Sequence, residues 1–158
     1  MMELTESLIE KVCLDIHDKT EIEFDSKLIN FKAPYERISM IDAIKKFTNY
    51  DISNMNESEL RLICKEMSVE VDDSMGEGKI IDAIFGNKCE KNFINPTFIT
   101  DYPKSMSPLT KEHRSNPKLT ERFELIVNGM EIANAYSELN DPIDLSLIHI
   151  SEPTRPST

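Results

Sequence analysis

Leu4, Leu8, Val12 and Ile16 recur with helical spacing, which predicts an amphipathic helix from residue 3 to about 18. The pattern then changes to alternation. Glu21-Ile22-Glu23-Phe24-Asp25 and Lys27-Leu28-Ile29-Asn30-Phe31, with Asp25-Ser26 between them, predict a hairpin. Ser39-Met40-Ile41-Asp42 resembles a capping box that opens a helix through Phe47. Asn56-Glu57-Ser58-Glu59 opens another, with Leu60, Ile63, Cys64 and Met67 on one face. A third helix is expected from about Gly78 to Cys89, with Ile81, Ile84 and Phe85 inward. Pro96 starts a strand through Tyr102, and a proline-rich loop follows to Pro117.

The next segment has a different pattern. Two β-rich runs, Arg122–Val127 and Met130 onward, flank Asn128-Gly129, a strong signal for a two-residue hairpin. Such a turn sets Val127 opposite Met130, Ile126 opposite Glu131 and Glu124 opposite Ala133. Glu124 and Glu131 then share a face as diagonal neighbours, roughly 5–8 Å apart at the backbone. Phe123, Leu125 and Val127 form the opposite, core-facing side. Two carboxylates so placed repel unless something positive meets them, and Mg²⁺ suits them. The spacing serves equally well for two glutamates on a solvated sheet face. Asn134, Tyr136 and Glu138 also alternate, but strict pleating puts them on the face opposite Glu131. A single site holding all five needs a bulge or strong twist near Ala133. Taken by spacing alone, Asn134, Tyr136 and Glu138 read first as a solvated edge strand.

Composition limits the options. The 158 residues suffice for one domain, and the apolar content of 39% lies below the usual 45–50% or so, as suits an interior slice of a larger fold. A net charge of −11 argues against autonomous nucleic-acid binding, which needs Lys and Arg on the phosphates. Cys13, Cys64 and Cys89 are far apart and lack metal-ligand spacing, so free thiols in a reducing cytosol are expected. No apolar run approaches the roughly 20 residues of a membrane span. The acidic N-terminus is no signal peptide. A cytoplasmic location is expected. Gly76-Glu77-Gly78-Lys79 lacks phosphate-loop spacing and reads as a helix entry. His113, in a polar loop, reads as a surface residue.

Several motifs, in order, carry a family resemblance: Met2-Glu3-Leu4-Thr5-Glu6, Phe31-Lys32-Ala33-Pro34-Tyr35-Glu36-Arg37, Asn95–Pro103, Ser107-Pro108-Leu109, Asn116-Pro117, Leu119–Glu124 and Tyr136–Asp141. Across nearly all of 1–144 the chain resembles the bacterial-type class II lysyl-tRNA synthetases. The resemblance implies an α+β fold: part of the class II antiparallel sheet, flanking helices, and a small helical insertion over about 39–91. It places Glu124 and Glu131 on Mg²⁺ ligands that hold ATP phosphates. Asn134 and Tyr136 fall on positions that contact the substrate lysine. Glu138 falls on a carboxylate that pairs with its ε-ammonium. The implied reaction makes lysyl-adenylate from lysine and ATP, then transfers lysine to tRNA(Lys), in a homodimer. No residue here takes a catalytic acid–base role, because such chemistry depends on positioning and charge neutralisation.

The resemblance also implies a piece of a larger enzyme. The family's anticodon-binding domain and motif 1 are absent, motif 2 should end shortly before Met1, and motif 3 should follow Asp144. None of the arginines present occupies the ATP-clamping roles of motifs 2 and 3. The chain alone is therefore expected to be inactive. Residues 145–158 depart from the resemblance and look like a translated sequencing adapter, so they are set aside as an artefactual, disordered tail. Two other readings stay open: another class II synthetase or a lysine-transferring paralogue, and a stand-alone binding domain.

Overall fold

The computed structural model describes residues 1–107 and 109–140. The expected tail at 145–158 lies outside the described residues. The architecture is α+β, as expected. Helix α1 (Met2–His17) forms where predicted, but its apolar stripe does not face the core: Leu4, Leu8 and Ile16 are 64%, 58% and 67% exposed. The side turned inward carries Met2, Glu6 and Ile9. Glu6 can be buried because its carboxylate accepts hydrogen bonds from the Tyr35 N–H at 3.0 Å and the Arg37 guanidinium at 3.2 Å.

Strands β1 (Glu21–Phe24) and β2 (Lys27–Asn30) make the expected hairpin. Asp25 and Ser26 turn it with φ of 50° and 59°, the left-handed pair that matches strand twist. β3 (Glu36–Ser39) was not foreseen. It runs parallel to β4 (Thr97–Pro103), with Glu36 beside Thr97 and Ser39 beside Thr100. It passes directly into α2 (Met40–Thr48), where Ser39 Oγ accepts from the Asp42 N–H at 3.1 Å. α3 (Glu57–Glu66) opens on a reciprocal Asn56–Glu59 capping box. α4 (Glu77–Lys88) starts at Gly76, so the glycine pair is a helix entry. Leu60, Ile63 and Cys64 of α3 and Ile80, Ile81, Ile84 and Phe85 of α4 meet α2 in one core.

The sheet is antiparallel apart from β3. β6 (Asn116–Val127) pairs with β4, with short β5 (Glu112–His113) and with β7 (Met130–Tyr136). The expected loop to Pro117 is therefore shorter. A 3-10 turn at Lys104–Met106 and β5 occupy part of it, and Pro117 sits near the start of β6, where a missing N–H is tolerated. One sheet face carries Phe98, Leu125 and Val127 against Ile29 and Tyr35, with Phe123 alongside. The other carries Ile99, Tyr102 and Ile126 into the helical core. A sheet covered on both faces explains the apolar run Leu125-Ile126-Val127.

At Gly78, α4 passes close to the 3-10 turn that follows β4. A Cβ there would lie 2.5 Å from the Ser105 carbonyl oxygen. Gly86, on the same helix, has only the flexible Glu90 carboxylate at 3.9 Å. Gly78→Ala should destabilise the protein by about 1–3 kcal/mol through overpacking. Gly86→Ala should stabilise it by about 0.5–1 kcal/mol. Urea denaturation of the two variants checks the opposite signs.

Candidate functional site

The β6–β7 hairpin positions the candidate residues. Asn128 and Gly129 turn the chain with φ of 51° and 69°, and their N–H groups donate to the Ile94 and Phe93 carbonyls, both at 3.0 Å. The tip is thus anchored to the segment that leads into β4. From this turn the pairing starts as expected, Val127 with Met130 and Ile126 with Glu131. It then shifts by one residue: Leu125 pairs with Ala133, Glu124 with Asn134 and Arg122 with Tyr136. Ile132 is the extra residue. The expected pairing of Glu124 with Ala133 is corrected by this bulge. A bulge lets one strand change which face its side chains take. Arg122, Glu124 and Ile126 of β6 and Glu131, Asn134 and Tyr136 of β7 consequently share one face.

On that face a polar cluster is closed by hydrogen bonds. The Arg122 guanidinium pairs with Glu124 Oε1, and its Nη1 donates to Ser107 Oγ at 2.6 Å. Its Nε donates to Asn134 Oδ1 at 3.3 Å, and Asn134 Nδ2 donates to Glu124 Oε1 at 3.3 Å. The guanidinium stacks on Tyr102, 4.6 Å from the ring centre. Side-chain exposure is only 20% for Arg122 and 13% for Glu124, so this ion pair is largely removed from water. Burial raises the Glu124 pKa above its ordinary 4.5, the neighbouring Tyr102 hydroxyl and then Arg122 oppose the rise, and Glu131 adds to it. Burial, then the charge of Glu124, pushes the Tyr102 phenol far above its ordinary range. That hydroxyl is buried beside Glu124 without a hydrogen bond of good geometry.

Two cavities flank the cluster, and Arg122 lines both. One, of about 320 Å³, lies between α4 and the sheet, with Gly78, Lys79, Asp82, Tyr102 and Glu124 on its walls. The other, of about 470 Å³, includes Thr100, Asp101, His113, Phe123 and Tyr136. The structure joins Glu124 to Asn134 directly and to Glu131 through charge. Tyr136 sits one strand pair away, on the second cavity. Glu138 lies past the end of β7, exposed, its backbone bridged to Thr110, and lines neither cavity. His113, expected on the surface, is half-buried in β5 with its ring 3.6 Å from Asp101. Arg122, Ser107 and Tyr102 were missed as site residues. Only the alternation of Arg122 with Glu124 hinted at a shared face.

The family described as tRNA synthetases class II (D, K and N) matches residues 1–152. The chain belongs to this family. A lysine–tRNA ligase of Porphyromonas gingivalis is 64% identical over 144 residues, which is 91% of this chain and 25% of that protein. The lysine–tRNA ligase of Christiangramia forsetii is 62% identical over the same shares. That of Azobacteroides pseudotrichonymphae is 58% identical and is covered over 29% of its length. The chain thus spans about a quarter of the length of the curated relatives it matches.

Glu124 and Glu131 offer hard oxygen donors, the type that divalent cations such as Mg²⁺ take. Among the described residues no group of three or more His, Cys, Asp or Glu is placed to hold a metal. A cation at Glu124 and Glu131 would take its remaining ligands from water and phosphate, the mode that Mg²⁺ favours. Among the same residues no helix is long and apolar enough to cross a membrane.

The buried Tyr102 hydroxyl gives a test of this geometry. Tyr102→Phe removes a group without a good partner and keeps the ring under Arg122. It should be neutral or stabilising by up to about 1 kcal/mol in urea denaturation. A loss above about 1 kcal/mol would show that the hydroxyl bonds Glu124 after all.

Proposed function

We propose that this chain is the central part of the catalytic domain of a lysine–tRNA ligase. The full protein would activate lysine with ATP to give lysyl-adenylate and pyrophosphate, then pass lysine to tRNA(Lys). The observation that carries this reading is identity of 58–64% to proteins of that name across 91% of the chain. On this reading residues 1–144 belong to the catalytic domain, and about 39–91 form its helical insertion. The working protein would be a cytoplasmic homodimer.

The residues then divide the work. Glu124 and Glu131 would hold Mg²⁺, which when bound neutralises phosphate charge. Their shared face supports this, since two carboxylates on one side of a sheet can meet a cation together. Asn134 and Tyr136 would orient the lysine, and Glu138 would pair with its ε-ammonium. A charged hydrogen bond of this kind selects lysine over neutral amino acids. Glu138 is exposed, and among the described residues its side chain makes no hydrogen bond or ion pair, so a change of the site around lysine would have to bring it in.

Substitution of Glu138 in the full-length protein tests the assignment. Glu138→Ala should raise the KM for lysine by about 10- to 100-fold, the worth of one charged hydrogen bond, and leave the KM for ATP nearly unchanged. An unaltered KM for lysine would contradict the lysine-pocket role.

A further inference from the structure

We propose that Arg122 is a positioning residue of this site, holding the metal-side carboxylate and the lysine-side amide in one arrangement. The inference rests on the reading of Glu124 as a metal ligand and Asn134 as a lysine contact. Arg122 touches both of them and spans the two strands beside the bulge. Its third bond, to Ser107, ties the pair to the segment that follows β4. Tyr102 supports the flat of the guanidinium. Every nitrogen of the fork is thereby used.

The bond pattern determines how each partner sits. Arg122 Nε reaches only the oxygen of the Asn134 amide, so the amide NH₂ must turn toward Glu124. Removing the guanidinium frees that amide to flip. Both donors to Glu124 converge on Oε1. A carboxylate has two oxygens, so one can be clamped while the other is presented to a ligand. Arg122 also sets a positive charge against this largely buried carboxylate, on the face it shares with Glu131. Because Arg122 lines both cavities, it is the wall through which the metal side and the Tyr136 side meet. A lysine in its place could neutralise Glu124 as a point charge, but it could not span Asn134 and Ser107 together.

The test uses the full-length protein with Arg122→Ala, Arg122→Lys and Glu124→Gln. Calorimetric titration of lysine into the metal-free protein reads the Asn134 side. The Mg²⁺ concentration that half-saturates lysine-dependent ATP–pyrophosphate exchange reads the Glu124 side. Arg122→Ala should weaken lysine binding and raise the Mg²⁺ requirement, each by about 10-fold or more, as loss of a group orienting a metal ligand does. Arg122→Lys should recover most of the Mg²⁺ effect and little of the lysine effect. If Arg122→Ala does not fold, Arg122→Lys carries the test through its lysine affinity. A lowered melting temperature with both binding constants at wild-type values would overturn the proposal, as would tighter Mg²⁺ binding. Glu124→Gln separates the two levels. If it raises the Mg²⁺ requirement and Arg122→Ala moves nothing, the positioning role fails alone. If it leaves the requirement unchanged, the metal reading fails and the proposal falls with it.

Discussion

The site depends on one inserted residue. Ile132 has no partner on β6, and its insertion changes the register of everything beyond it on β7. Without it, Asn134 and Tyr136 would point away from the face that carries Glu124. With it, the carboxylates, the amide and the phenol lie on one side of the sheet. The turn at Asn128-Gly129 fixes where the shift is counted from, because its N–H groups are anchored on Phe93 and Ile94. A one-residue slip in a strand exchanges its faces, so a small feature of the backbone decides which chemistry is collected.

Burial gives that arrangement its consequences. Helices α2 to α4 close over the same face through Ile99, Tyr102 and Ile126, and leave the polar cluster at the margin of an apolar core. A carboxylate there cannot rely on water, so it needs a cation. Arg122 is the cation the chain itself provides, while Glu131 on the same face stays exposed. The close approach of α4 at Gly78 keeps the helical layer near the site, with Lys79 and Asp82 on the wall of the smaller cavity.

Much of the fold was legible because its signals are local. The caps at Ser39 and Asn56, the Asp25-Ser26 and Asn128-Gly129 turns, and the inward faces of α3 and α4 follow from neighbours within four residues or so. β3 escaped notice because four residues with two exposed charges carry no alternation to read. The inward face of α1 was missed because its most buried member is Glu6, whose partners lie near residue 35 and cannot be inferred from helical spacing. The site was half legible. Alternation put Glu124 and Glu131 on one face, and a bulge near Ala133 was called for only on the condition that all five residues line one site. The role of Arg122 depends on Ser107 and Tyr102, which approach it only through the pairing of β4 with β6 and the turn that follows.

The most direct measurement is a crystal structure of the full-length protein with ATP, lysine and Mn²⁺, located by its anomalous scattering. The account predicts Asn134 opposite Glu124, an unpaired Ile132, and a manganese ion in contact with both Glu124 and Glu131. Ala133 opposite Glu124, or manganese bound without either glutamate, would contradict it.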